Sequence, residues 1–191
     1  MRIIAGRHRG TKLTELVGAS TRPTADRVRE NLFNILAGGR YGEVIADATI
    51  IDGFAGTGAL GLEALSRGAG FCSFLERDQA ALRVLRRNID RLDRTGDAAV
   101  IAGDALTLAS WRGQPATLLL ADAPYGSGGG QELAIRLATI GALDDDAIAV
   151  IETGQEDPLD EDALTAIGFV VEDSRRYGRA RLHFLRFTTA G

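Results

Sequence analysis

The chain has 191 residues, a formal net charge of −4, and 45% hydrophobic against 25% charged residues. That length supports one domain with a full core, and the composition excludes a disordered or collagen-like chain. A single cysteine, Cys72, excludes an internal disulfide; with only two widely separated histidines, His8 and His183, no metal site is expected.

In chain order, residues 1–13 read as a short hairpin, with Arg2-Ile3-Ile4-Ala5 and Thr11-Lys12-Leu13 set around Gly6 and Gly10. Charge interrupts the opening apolar run, so neither a signal peptide nor a membrane span is expected there. No later segment approaches the roughly 20 apolar residues a span needs, and a cytoplasmic location is the expectation. A helix follows Thr21-Arg22-Pro23-Thr24, capped by Thr24. Val28, Leu32, Ile35 and Leu36 recur at helical spacing until Gly38-Gly39 stops it.

From about residue 48 strand and helix patterns alternate. Strands are predicted at 49–51, 71–75, 98–101, 117–121 and 147–151, and helices at 60–66, 79–92, 132–140 and 161–167. Leu82, Leu85, Ile89 and Leu92 form one face of the second of these helices. Continuous apolar strands separated by helices predict an α/β fold: a Rossmann-like, mostly parallel sheet covered on both faces. Residues 169–171 and 182–187 have no helix between them, so they are expected to form a hairpin turning at Tyr177-Gly178, with one antiparallel strand at the sheet edge.

Ligands of open parallel sheets bind beyond the carboxyl ends of the strands. Asp52, Glu76, Asp104 and Asp122 all fall at or just past predicted strand ends, which places four carboxylates along one rim. Asp52-Gly-Phe54-Ala-Gly56-Thr-Gly58 reads as a strand-to-helix turn whose glycines allow a tight bend and close approach to a ligand. With Gly61 it matches the dinucleotide fingerprint, and Glu76 lies 76 − 56 = 20 residues after Gly56, where a ribose-binding acid belongs. An NAD-dependent oxidoreductase is therefore one reading. Asp52 favours another, because a pyrophosphate gains nothing from an extra negative charge whereas a sulfonium cofactor, S-adenosylmethionine, tolerates it. In that reading Glu76 takes the ribose hydroxyls and Asp104 the adenine amine. Phe54, Arg77 and Ala105 line the same pocket.

Asp122-Ala123-Pro124-Tyr125 follows the apolar 118–121 and enters a loop beside the cofactor. An exocyclic amine on a base is a poor nucleophile, since its lone pair is delocalised into the ring. Asp122 and a backbone carbonyl can accept its hydrogens and aim the nitrogen, Pro124 stiffens the turn, and Tyr125 offers a stacking face worth about 1–3 kcal/mol. Catalysis of this kind rests on positioning and needs an unstacked or flipped base.

Charge is polarised along the chain. Residues 1–40 carry Arg2, Arg7, Arg9, Lys12, Arg22, Arg27, Arg29 and Arg40 against three acids, whereas 141–173 hold no lysine or arginine. A basic face toward phosphates is thus compatible with an acidic chain, and Arg7, Arg9, Lys12, Arg22, Arg27 and Tyr125 are the nucleic-acid-binding candidates.

With these residues in view, the sequence resembles the bacterial small-subunit ribosomal RNA guanine-N2 methyltransferases of the RsmD type. Arg2-Ile-Ile-Ala-Gly6 with Arg9-Gly-x-Lys-Leu13 is similar to that family's opening. Residues 21–34, Thr-Arg-Pro-Thr-Ala-Asp-Arg-Val-Arg-Glu-Asn-Leu-Phe-Asn, are similar to its most distinctive signature. Residues 52–58, 60–69, Glu76-Arg77-Asp78 and Tyr177-Gly178 continue the match, which is weak from 138 to 173. The resemblance implies a class I methyltransferase domain over 41–191 and an N-terminal hairpin and helix extension over 1–40. That extension, and residues 22–33 in particular, would flank the site and help bind RNA and cofactor. It also implies S-adenosylmethionine as cofactor and a guanine amine in 16S rRNA or the small ribosomal subunit as target. No metal is needed for such a transfer, and a monomer is the expected state. Ala123 stands where the family usually has proline, which predicts a less rigid loop. Rival expectations are adenine-N6 methylation of DNA and a catalytically silent RNA-binding or ribosome-assembly protein.

Overall fold

Buried β-branched and leucine runs pair side by side into one seven-stranded sheet in the order β3-β2-β1-β4-β5-β7-β6. The computed structural model describes residues 1–16 and 23–189. The strands are β1 (Thr49–Gly53), β2 (Phe71–Glu76), β3 (Ala98–Ala102), β4 (Ala116–Asp122), β5 (Leu143–Gly154), β6 (Phe169–Tyr177) and β7 (Ala180–Phe187). The first five run parallel. The closing hairpin lies at the sheet edge as expected, with β7 the reversed strand, inserted between β5 and β6.

Helices α1 (Pro23–Ala37), α2 (Ala59–Ser66) and α3 (Gln79–Arg91) share one apolar cluster with Ile50, Leu118 and Leu120 on one sheet face. Helix α4 (Gly129–Thr139) and α5 (Glu161–Ile167) bury Leu133, Leu137 and Leu164 with Ile51, Leu119 and Ile151 on the other. Among the described residues no helix is long and apolar enough to cross a membrane.

Several boundaries differ from the sequence reading for identifiable reasons. α4 starts at Gly129, within a glycine run that reads as loop, because the helix packs so near β5 that a Cβ on Gly130 would sit 2.6 Å from Ile151 Cγ2. β5 begins at Leu143, ahead of three consecutive aspartates; the register against β4 shifts there before regular pairing resumes at Ile148. α1 begins at Pro23, which suits the first helical position; the side chain of Thr24, and with it the expected cap, lies outside what the structure describes.

The N-terminal segment forms the expected hairpin: Arg2 and Lys12 make an antiparallel bridge, and Ile3 N donates to Thr11 O (3.0 Å), Gly10 N to Ile3 O (2.9 Å) and Leu13 N to Met1 O (3.2 Å). Its remaining backbone groups go to α2. Buried Glu63 accepts from the amides of Ile4 (2.7 Å) and Ala5 (3.0 Å), and Ser66 Oγ accepts from His8 N (3.0 Å) while donating to Ala5 O (2.6 Å). Gly6 approaches so closely that a Cβ would lie 1.9 Å from the Ser66 carbonyl oxygen. Buried Asn88 of α3 holds Thr14 in the same manner, exchanging bonds of 2.8 and 3.0 Å with its backbone. Ile3 and Leu13 consequently belong to the main core cluster.

Candidate active site

The sheet order reverses between β1 and β4, and the crevice opens there, at the carboxyl ends of the strands. A cavity of about 520 Å³ occupies it, lined by Phe54, Leu75, Glu76, Arg77, Asp104, Ala105, Leu106 and the Asp122–Tyr125 segment among others. A second cavity of about 250 Å³ adjoins it on the α4–α5 side and shares Ala123, Pro124, Tyr125, Ser127, Gly129 and Glu152 with the first.

Glu76 ends β2 and is held by backbone amides: Oε2 accepts from Gly56 N at 2.7 Å, and Oε1 from Arg77 N at 2.8 Å and Asp78 N at 2.7 Å. Of roughly four lone-pair sites on a carboxylate, on the order of one is left for a ligand. Gly56 is thus the residue that aims Glu76. Asp104 Oδ1 accepts from Leu106 N (3.1 Å) and opens a short 3-10 turn, Ala105–Thr107; its Oδ2 accepts from Arg77 Nη1 (2.9 Å). Phe54 holds a left-handed backbone, φ 62, which turns its ring into the cavity and close to Gly129.

Asp52, Gly56 and Gly58 do not line the cavity. Asp52 is 1% exposed and its Oδ2 accepts from Gly61 N at 2.8 Å, which ties β1 to the first turn of α2. Burial raises its pKa to about 7, against the opposing Gly61 bond and with a further upward push from Glu76. Gly58 is left-handed, φ 85, and a Cβ on it would lie 2.5 Å from Leu85 Cδ1. Gly61 lies equally close to Phe74 and Cys72. At Gly58 and Gly61 the glycine pattern that resembles a dinucleotide fingerprint therefore answers to helix packing.

In place of Asp52 the rim gains Glu152 of β5. It lies opposite Asp122 in the parallel register, lines both cavities, and accepts from Tyr125 Oη at 2.6 Å. The sequence signal was the one used for the other acids, a carboxylate just past an apolar strand, but Glu152 sits inside an acidic stretch and was not singled out. Asp122 opens onto the cavity while protein crowds its carboxyl group from behind. Burial, then Glu152, then Asp52 push its pKa up to about 7. Glu152 is raised too, by burial, with the Tyr125 bond opposing.

The loop after Asp122 is fastened at three points. Ser127 Oγ donates to Pro124 O (2.6 Å), Asp157 Oδ2 accepts from Gly126 N (2.7 Å) and Gly154 N (3.0 Å), and Tyr125 is tied to Glu152. The Pro124 carbonyl also accepts from Ser127 N, while among the described residues the Ala123 carbonyl accepts no bond. Of the nucleic-acid candidates, Arg7, Arg9, Lys12 and Arg27 are exposed, Tyr125 stands between the cavities, and Arg22 lies outside the described residues. His183 is a core histidine between Thr153 Oγ1 (3.1 Å) and Ser174 Oγ (2.8 Å).

Residues 1–186 match the family described as conserved hypothetical protein 95. The chain is 40% identical over 159 residues to the Escherichia coli K12 ribosomal RNA small subunit methyltransferase D, covering 83% of this chain and 77% of that one. It belongs to this RsmD family. The Haemophilus influenzae ribosomal RNA small subunit methyltransferase D is 35% identical over 162 residues, covering 83% of this chain and 81% of its own. The solved structure of the Escherichia coli protein yhhF superposes with a TM-score of 0.82 at 34% identity, covering 100% of this chain and 99% of that one. The architecture of this RsmD-family chain is the Rossmann-like class I methyltransferase fold.

Proposed function

We propose that this protein is an S-adenosylmethionine-dependent methyltransferase acting on the exocyclic N2 amine of a guanine in 16S ribosomal RNA. The observation that carries this reading is the junction of two cavities at Asp122–Tyr125. One is of nucleoside-cofactor size with acids at its strand ends; the other faces it across the only described loop that pairs an open carboxylate with a stacking ring. RsmD relatives named as ribosomal RNA methyltransferases support the substrate class.

The residues fit the cofactor. Phe54, Leu75 and Leu106 offer apolar walls for a planar adenine, Asp104 and Glu76 offer acceptors for its amine and ribose, and Asp122 adds negative charge where a sulfonium would sit. When bound, S-adenosylmethionine supplies an electrophilic methyl group. Tyr125 stacks the flipped base, and Asp122 and the Ala123 carbonyl accept the two N–H bonds of the amine. This holds its lone pair along the line of transfer. With the cofactor bound, that lone pair would take the methyl from sulfur, and Asp122, with a pKa near neutral, would accept the proton that the nitrogen sheds as the N–C bond forms.

The first test is transfer of labelled methyl to undermethylated small ribosomal subunits and to their extracted RNA, followed by nucleoside digestion. N2-methylguanosine is the expected product. The amine logic of the Asp122 loop applies equally to adenine N6, so duplex DNA is the control; product on DNA alone would replace the reading. RNA binding with no product on any substrate would leave a silent binding protein.

A further inference from the structure

We infer that the exposed face of α3 and the N-terminal segment form one phosphate-binding surface, which grips a second stretch of ribosomal RNA away from the flipped base. The inference rests on the proposed rRNA substrate and deepens it.

α3 turns Leu82, Leu85, Asn88 and Ile89 into the core. The opposite face exposes Arg83, Arg86, Arg87 and Arg91. Arg83 and Arg91 are about 12 Å apart along the axis at 1.5 Å per residue. Residues 2–12, some seventy positions earlier, bring Arg2, Arg7, Arg9 and Lys12 to the same surface. Arg91 Nη1 donates to Lys12 O at 2.9 Å, Thr14 N to Asn88 Oδ1 at 2.8 Å, and Arg94 Nε to His8 Nε2 at 3.0 Å. Two basic segments far apart in sequence are thereby joined edge to edge.

None of these eight exposed cations forms a salt bridge among the described residues. Asp90 and Asp93 stand nearby, so the set of Arg2, Arg7, Arg9, Lys12, Arg83, Arg86, Arg87 and Arg91 sums to 8 − 2 = +6 within a chain of net −4. The arrangement also carries an electrostatic cost. Arg2 and Lys12 face each other directly in the only bridge of the segment, and like charges so placed repel. Arg83, Arg87 and Arg91 repeat at i, i+4 and i+8, where like charges destabilise a helix. An anion along this surface relieves both.

The α4–α5 side could not serve: Glu152, Asp157 and Asp160 line the small cavity there. A polyphosphate is repelled from that side and attracted to the α3 side, which begins at the cavity rim, where Arg77 and Asp78 lead into α3. Bases enter at one face of the sheet edge while phosphates are held at the other.

Arg83, Arg86 and Arg87 are exposed and make no described side-chain bond, so their replacement by glutamine leaves the fold intact. The test is binding of transcribed 16S rRNA to the wild type and to R83Q/R86Q/R87Q over a salt series. The triple variant is expected to lower the slope of log K against log salt by about one per residue lost and to weaken binding at least about tenfold at low salt. Its KM for rRNA should rise while kcat at saturating rRNA and S-adenosylhomocysteine affinity hold, and R83K/R86K/R87K should restore binding. An unchanged slope in an enzyme that still methylates rRNA overturns the surface alone. A wild type that neither binds nor methylates rRNA overturns the proposed function with it. Loss of affinity for phosphatidylglycerol vesicles with rRNA binding unchanged would assign the surface to a membrane instead.

Discussion

Asp52 and Asp122 end neighbouring parallel strands on the same sheet face, and burial pushes both to a pKa of about 7. Their roles nevertheless separate. Asp52 pairs with Leu120 in the register, so Asp122 stands two residues further along, about 6–7 Å at the rise of a strand. Asp52 is thereby sealed under α2 with the Gly61 amide as its partner, whereas Asp122 clears the edge and meets the cavity. A carboxylate with an internal donor secures a turn; one with an open face and a neighbouring acid suits the proton acceptor proposed for Asp122.

The sharpest break of that contrast is Asp122→Ala. Turnover should fall about 10²–10³-fold, the loss expected of a group acting on the reacting nitrogen, with thermal stability and affinity for S-adenosylhomocysteine, which carries no sulfonium charge, close to wild type. Single-turnover methyl transfer and calorimetry together check it, and normal turnover would falsify the role.

Glu76→Ala comes next, because it removes a charge-assisted acceptor from the cofactor cavity without touching the target loop. Cofactor affinity should drop roughly 10–100-fold, from about 1.5–3 kcal/mol per such bond, with kcat at saturation less affected. Titration calorimetry reads this directly.

Tyr125→Phe keeps the stacking face but loses the bond to Glu152. A fall in kcat/KM of about 3–10-fold is expected, in keeping with about 1 kcal/mol for a hydrogen bond. Tyr125→Ala should cost distinctly more if the ring supports the base.

The smallest effect lies in pH. Asp122 accepts N–H only when ionised, so activity should fall as pH drops through about 7. Asp52 has the opposite sense in stability. Its folded pKa is raised above the unfolded value near 4, so its contribution is full below about pH 4 and is lost as pH rises through about 7. Asp52→Asn, whose amide oxygen can still accept from Gly61, should raise Tm by a few degrees at pH 8 and flatten the dependence of Tm on pH between about 4 and 8. A Tm at pH 8 that is unchanged or lower would remove the distinction between the two acids.

Much of this molecule was legible in the residue pattern. Apolar runs marked every strand, α5 was read at its observed bounds, and the segment 122–125 lines the crevice cavity because strand ends in such sheets face the crevice. The errors have a common cause. Asp52 and Glu152 exchanged places in the rim because distance along a strand beyond its neighbour depends on register, which one strand's sequence does not carry. The start of α4 falls three residues before the predicted 132 because the need for Gly130 is a contact with Ile151, not a turn. The N-terminal hairpin was legible, but nothing local announces that Glu63, Ser66 and Asn88, all inside helices, would take its outward backbone bonds.

Local periodicity determined the parallel α/β architecture, and the short signature segments determined the family to which the chain belongs. Those properties depend on residues near one another in sequence, where side-chain spacing translates directly into buried and exposed faces. Tertiary structure alone decided which acids reach the cavity, how Asp157 and Glu152 fasten the target loop, and that α3 and the first twelve residues share one basic face. Each of these is a juxtaposition of segments distant along the chain, settled by register and packing.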